Sequence, residues 1–133
     1  MSDDPSVDPT DDLTLLGRDH RGPVDHVETF PAPEGCTQVV FTTDEVASLC
    51  PVTKQPDISS VRISYVPAAR CIESKSLKLY LWGFRDREVF AEVLAVEIAD
   101  EVWTTAAPES VDVVVTQHVR GGIVTETRSS HPR

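Results

Sequence analysis

The chain has 133 residues, with 22 acidic against 12 basic side chains and a net charge of −10. That length holds one domain with a modest core, and no apolar run in it approaches membrane-spanning length. The acidic balance opposes nonspecific binding to nucleic acid, so any phosphate-bearing ligand has to be met by a local basic cluster.

Residues 1–12 are rich in Asp, Pro and Ser and are expected to form a disordered acidic tail. No basic stretch followed by an apolar one is present, so no secretory signal is expected and the cytoplasm is the expected compartment. From there to Gly35 the apolar residues are few (Leu13, Leu15, Leu16, Val24, Val27, Phe30), which predicts an extended arm packed on a neighbouring surface. His20 and His26, in this arm, read as surface histidines. Residues 38–43 (QVVFTT) predict a strand, and Thr43-Asp44-Glu45 a turn or short helical piece reaching Leu49. Then comes a loop punctuated by prolines, Cys50-Pro51-Val52-Thr53-Lys54-Gln55-Pro56-Asp57. Residues 60–66 alternate, with Val61, Ile63 and Tyr65 on one face and Arg62 and Ser64 on the other, as in a half-buried strand.

Residues 73–84 predict a helix in which Leu77, Leu81 and Phe84 make a stripe for burial, with Tyr80 beside them. Lys75 and Lys78 share another side. Asp86 is the expected N-cap of a second helix, with one row formed by Val89, Val93 and Val96, the next by Phe90, Leu94 and Ile98, and Glu92 off the middle of that surface. Residues 110–116 and 123–127 predict two last strands joined by a turn at Gly121-Gly122, and residues 128–133 a frayed end. This order, ββααββ, predicts an α+β domain over residues 13–127: an antiparallel four-stranded sheet covered on one face by two helices. Such a sheet has two open edges, which closure by several subunits would hide.

Two pieces carry chemistry. A cysteine thiolate is a strong nucleophile, but a free thiol titrates near about 8.5 and needs a base or a positive potential beside it. Asp57 is the nearest carboxyl on the Cys50 loop; the plainer readings are a small buried cysteine and a turn carboxylate. The 73–78 run combines a helix start, which offers N–H groups to an anion, with two lysines in an acidic chain; the plainer reading is a solvated amphipathic helix. Three cysteines with no CxxC pair and no histidine at ligand spacing predict neither a disulfide framework nor a metal site. The absence of GxGxxG leaves no Rossmann site.

Ser48-Leu49-Cys50-Pro51-Val52-Thr53, Gln55-Pro56-Asp57, Ile63-Ser64-Tyr65-Val66-Pro67, the Glu73 to Leu81 run, Phe84-Arg85 and Arg120-Gly121-Gly122 occur in this order across nearly the whole chain. Together they resemble the NADPH-dependent 7-cyano-7-deazaguanine reductases of queuosine biosynthesis, in their short single-module form. The resemblance implies the tunnelling fold, in which subunits join their sheets into a ring, and hence a homo-oligomer with sites at subunit interfaces. It implies reduction of the substrate nitrile to the primary amine through a thioimide on Cys50, with Asp57 moving protons. It assigns NADPH to Lys75, Ser76 and Lys78, and the substrate to Glu73, Ser74 and Glu92, with no metal and no direct contact with nucleic acid. One position departs from the family pattern: the triplet Phe-His-Glu reads Phe90-Ala91-Glu92 here, with the glutamate kept and the histidine absent. Two alternatives share the fold. One is an enzyme that adds ammonia to the same nitrile on tRNA to form archaeosine, against which the intact lysine motif and the acidic charge argue. The other is a non-catalytic purine-binding protein.

Overall fold

A computed structural model describes residues 13–16 and 22–133; the tail expected over residues 1–12 and His20 lie outside the described residues. The elements are β1 (Thr29–Pro31), β2 (Val39–Leu49), β3 (Pro56–Val66), β4 (Arg70–Ile72), α1 (Ser74–Trp82), α2 (Ala91–Ala106), β5 (Ser110–Arg120) and β6 (Ile123–His131). The four long strands form an antiparallel sheet in the order β2-β3-β5-β6, and β1 pairs with β4 in a separate two-stranded ladder. The α+β class and the antiparallel sheet with two helices are as the sequence predicts. The small β1–β4 ladder is an addition. No helix among the described residues is long and apolar enough to cross a membrane.

Period-two alternation places Val61, Ile63 and Tyr65 of β3 and Val111, Val113 and Val115 of β5 on one face, all buried. Leu94, Ala95, Ile98, Ala99 and Val102 of α2 pack onto that face with Leu77 and Leu81 of α1. Each large side chain in this layer contributes about 1.5–3 kcal/mol by leaving water. The predicted α1 stripe is buried as expected, Tyr80 and Phe84 included. In α2 the predicted rows divide differently: Val89, Leu94 and Ile98 are inside, whereas Phe90, Val93 and Val96 are exposed.

Four boundaries differ from expectation, each for a physical reason. Residues 44–49 continue β2 instead of turning, because a bulge between Thr43 and Val46 absorbs one extra residue and returns Val46 and Ser48 to the buried face. β3 begins at Pro56, four residues before the start of the alternating run, because pairing with β2 extends to Leu49. The second helix begins at Ala91, with Phe90 as its N-cap and no side-chain cap bond. Asp86 does not cap it, because Leu49 recruits the intervening segment: Leu49 N–H donates to Arg87 O (2.8 Å) and Val89 N–H donates to Leu49 O (3.1 Å). The C-terminal residues are not frayed but complete β6 as far as His131, whose ring stacks on Trp103 of α2 at 5.1 Å and meets Asp100 at 2.6 Å.

The arm before β1 is tied to α1 by one residue. Glu28 N–H donates to Ser76 Oγ (2.8 Å), Glu28 O accepts from Glu73 N–H (2.8 Å), and the Glu28 carboxylate accepts from the Thr14 N–H and hydroxyl. Glu73 then caps α1 itself, its carboxylate accepting from Lys75 N–H (2.6 Å) and Ser76 N–H (2.7 Å). A negative charge at the positive end of the helix adds to those bonds. Glu73→Ala is expected to lower unfolding stability by about 1–2 kcal/mol in urea denaturation, and Glu73→Gln, which keeps an acceptor, by less.

Candidate active site

The six residues 50–55 close the β2–β3 hairpin. Cys50 N–H donates to Gln55 O and Lys54 N–H to Cys50 O, both at 2.9 Å, with Lys54 in the left-handed region at φ 64°. Lys54 Nζ reaches Glu88 at 2.5 Å, and Leu49 is bonded to the same segment, so the loop is held against the strand-like stretch that leads into α2. Cys50 is half-buried. Thr53 N–H points at its Sγ from 3.5 Å. The Thr53 hydroxyl, then the Thr53 and Val52 N–H groups, with the Arg120 guanidinium behind them, pull the Cys50 thiol down to about 7.

Asp57 is seven residues on, at the start of β3, and is only 3% exposed. A carboxylate so far from water requires a partner, and Arg120 pairs with it directly. The other guanidinium nitrogen of Arg120 donates to Thr53 Oγ1 at 3.2 Å. Arg120 thus joins the carboxylate to the residue that polarises the thiol. Strict alternation along β5 would put Arg120 on the face opposite Val111, Val113, Val115 and Gln117. A one-residue bulge between Gln117 and Arg120 reverses this and turns the side chain to the face of Asp57. The tight turn beyond it suits a twisted hairpin, with Gly121 and Gly122 at φ 58° and 80°. Ser59, next along β3 on the face of Asp57, is buried with a hydroxyl that meets no protein partner among the described residues.

The second predicted piece is arranged differently. The helix start does not offer its N–H groups to a ligand, because the Glu73 carboxylate occupies them. Ser76 is fully buried, its hydroxyl donating to Glu73 O (2.8 Å) while accepting from Glu28 N–H. Lys75 Nζ donates to the Leu15 carbonyl at 2.7 Å. Ser74 and Lys78 are exposed and, with Trp82 and Arg85, line a cleft of about 610 Å³ between α1 and the β2–β3 face. Glu92 is exposed in the first turn of α2, beside the buried Ala91, whose carbonyl accepts from Thr127 Oγ1 at 3.1 Å.

Cys50, Asp57 and Arg120 therefore meet, and the start of α1 stands apart from them in the same chain. Tyr65, whose hydroxyl accepts from Ile72 N–H (2.8 Å) just before Glu73, is eight residues along β3 from Asp57. At the rise of an extended strand that is on the order of 25 Å.

A thiol drawn down in this way beside a carboxylate–guanidinium pair, on an antiparallel α+β sheet, is the arrangement that covalent cysteine chemistry would need. Residues 56–133 match the family described as "QueF-like protein". A curated relative named NADPH-dependent 7-cyano-7-deazaguanine reductase, from Anaeromyxobacter sp. (strain Fw109-5), is 42% identical over 82% of this chain and 91% of its own. A protein of the same name from Alkalilimnicola ehrlichii is 40% identical over 82% of this chain and 86% of its own. The crystal structure of the archaeosine synthase QueF-Like in the apo form superposes with a TM-score of 0.67 at 26% identity, covering 71% of this chain and 92% of that one. The chain belongs to the family of NADPH-dependent 7-cyano-7-deazaguanine reductases, and its architecture is the tunnelling fold.

Neither Arg120 nor Thr53 is marked by spacing alone as part of the site; the bulge and the hairpin loop bring them there. Because its thiol is drawn down, Cys50 should gain its thiolate as the pH rises through about 7 and lose it below. Iodoacetamide alkylation of Cys50 followed by peptide mass spectrometry should therefore rise with a midpoint near that pH. In Thr53→Ala the midpoint should move up toward the ordinary thiol range.

Proposed function

We propose that this chain reduces the nitrile of 7-cyano-7-deazaguanine to the primary amine of 7-aminomethyl-7-deazaguanine, using NADPH, in queuosine biosynthesis. The observation that carries this reading is the lowered Cys50 thiol joined through Thr53 and Arg120 to Asp57. A nitrile carbon is a soft electrophile, and the Cys50 thiolate attacks it to give a thioimide. Asp57 takes the thiol proton and returns it to the nitrogen, then relays the further protons that an amine needs. Arg120 pairs with the carboxyl and keeps it aimed at the loop. With alanine at position 91, proton delivery falls to Asp57.

The residues present fit NADPH. Lys78 and Arg85 put two cationic side chains on one cleft wall with the indole of Trp82, and charged donors suit phosphate oxygens. When bound, NADPH supplies the hydride equivalents that reduce the carbon. Lys75, one turn before Lys78, would exchange its bond to the Leu15 carbonyl for a phosphate oxygen, while Glu73 and Ser76 act by fixing the helix end rather than by touching a ligand. Ser74 and Glu92 keep polar atoms at the surface for the substrate, and a carboxylate suits the paired N–H donors of a deazaguanine.

A complete site requires a second copy of the chain. The α1 start of one subunit would be brought to the Cys50 loop of another, and the edge strands β2 and β6 are the places for such joining. The substrate is the free base and not tRNA, in keeping with the net charge of −10. The cytoplasm is the compartment of this reaction.

Mixing the protein with 7-cyano-7-deazaguanine in the absence of cofactor should give an intact mass increased by one substrate. That adduct should vanish in Cys50→Ala, and NADPH should then convert the wild-type adduct to amine. An adduct that yields no amine with NADPH, but an amidine with ammonia, would overturn the reductase reading. Asp57→Asn should lower turnover by about 10²-fold or more. Lys78→Ala should raise the KM for NADPH by about tenfold with kcat little changed, as expected for lost uniform binding.

A further inference from the structure

Cys36 and Cys71 lie outside the site just described. Cys71 is in β4, opposite Phe30 of β1, and the ladder continues through the Ala32 N–H to Ala69 O bond at 2.9 Å. The chain then turns at residues 33–36, closed by Cys36 N–H on Pro33 O at 3.2 Å, with Gly35 at φ 90°. It enters β2 at Val39, whose register partner is Tyr65. The Tyr65 hydroxyl in turn accepts from Ile72 N–H, next to Cys71. Turn and strand thus bring both cysteines to the same end of the sheet beside Tyr65, where Cys71 interacts with both the Cys36 thiol and the Tyr65 phenol. Cys36 is partly exposed and Cys71 is buried. Cys50 is near the opposite end of β3, at the far side of the sheet.

We propose that Cys36 and Cys71 are a thiol–disulfide exchange site, separate from the catalytic thiol, that takes a low-molecular-weight disulfide as its oxidant. The exposed member acts first: the Cys36 thiolate attacks one sulfur of the reagent, forms a mixed disulfide and releases one small thiol. The Cys71 sulfur then attacks Cys36, forms the Cys36–Cys71 bond and releases the second small thiol. The two electrons lost by the protein thiols reduce the reagent's S–S bond, and their two protons end on the two released thiols. Burial pushes the Cys71 thiol up and slows its reaction with bulk reagents; in the mixed disulfide it attacks as it gives up its proton to the departing small thiolate. The cross-link ties the β1–β2 turn to β4, two residues before Glu73, and so restrains the frame from which α1 starts.

The test uses the full chain with oxidised glutathione, alkylation of remaining thiols, and peptide mapping. Expected are one Cys36–Cys71 cross-linked peptide, a Cys50 outside that cross-link whether alkylated or carrying its own glutathione, and a Tm higher by roughly 5 °C or more because the unfolded chain is constrained. Dithiothreitol should reverse the cross-link and the Tm rise. Cys36→Ser, in a surface turn, should remove the cross-link and the Tm rise, and Cys50→Ser should keep both. Glutathione left on Cys36, a cross-link that includes Cys50, or an unchanged mass would each overturn the proposal. None of these readouts depends on turnover, so the result stands apart from the reductase assay.

Discussion

A carboxylate shut away from water dictates much of this structure. Asp57 is nearly inaccessible at the head of β3, and an unpaired charge there would cost several kcal/mol. Its partner comes from the far end of β5, so the pairing depends on the bulge that turns Arg120 over and on the glycine turn that follows. The same guanidinium reaches Thr53, whose hydroxyl and N–H act on Cys50. One cation therefore compensates the buried acid and contributes to the potential at the thiol. A shift of one residue in the β5–β6 register would undo both.

The two bulges have a common effect. In β2 the extra residue restores Val46 and Ser48 to the inner face; in β5 it brings Arg120 to that face. The body of the sheet is built by plain alternation, and the irregularities gather toward the end that holds Cys50, Asp57 and Arg120, as expected where a side chain has to be re-aimed. The opposite end is organised by Glu28, which joins the arm, Ser76 and the backbone of Glu73. The tunnelling fold thus has two differently built ends, joined by β3 and by α1 running along β2.

Legibility in the sequence follows the same division. The α1 stripe and the alternating residues of β3 can be read because burial imposes a period on them. Residues 44–49 cannot, because the bulge puts Asp44 and Glu45 side by side and breaks the alternation that would mark a strand. Asp86 looks like a cap by residue type, yet Leu49, far away in sequence, claims the segment behind it and moves the helix start to Ala91. His131 looks like a terminal residue until the Trp103 ring and Asp100 are in place. At the candidate site Cys50 and Asp57 are legible because one short loop holds them. Arg120 stands out only through the Arg120-Gly121-Gly122 motif of the resemblance, since the face it takes depends on a register shift that no local pattern records. The lysines stand out by charge, but nothing in their spacing tells that Lys75 meets a carbonyl of the arm and that Ser76 is sealed inside.

The Glu73 cap has an electrostatic consequence. By occupying the N–H groups at the positive end of α1 from within the chain, it removes the backbone as an anion receptor and leaves attraction to the Lys78 ammonium and Arg85 guanidinium on the cleft wall. Attraction of that kind acts through solvent and fades over about 10 Å at 0.1 M ionic strength and about 3 Å at 1 M. A phosphorylated ligand held on this wall would be sensitive to the salt around the protein, whereas the part-buried Asp57–Arg120 pair is screened less. One chain thus joins a basic cleft wall whose field responds to ionic strength with an ion pair that responds to it less.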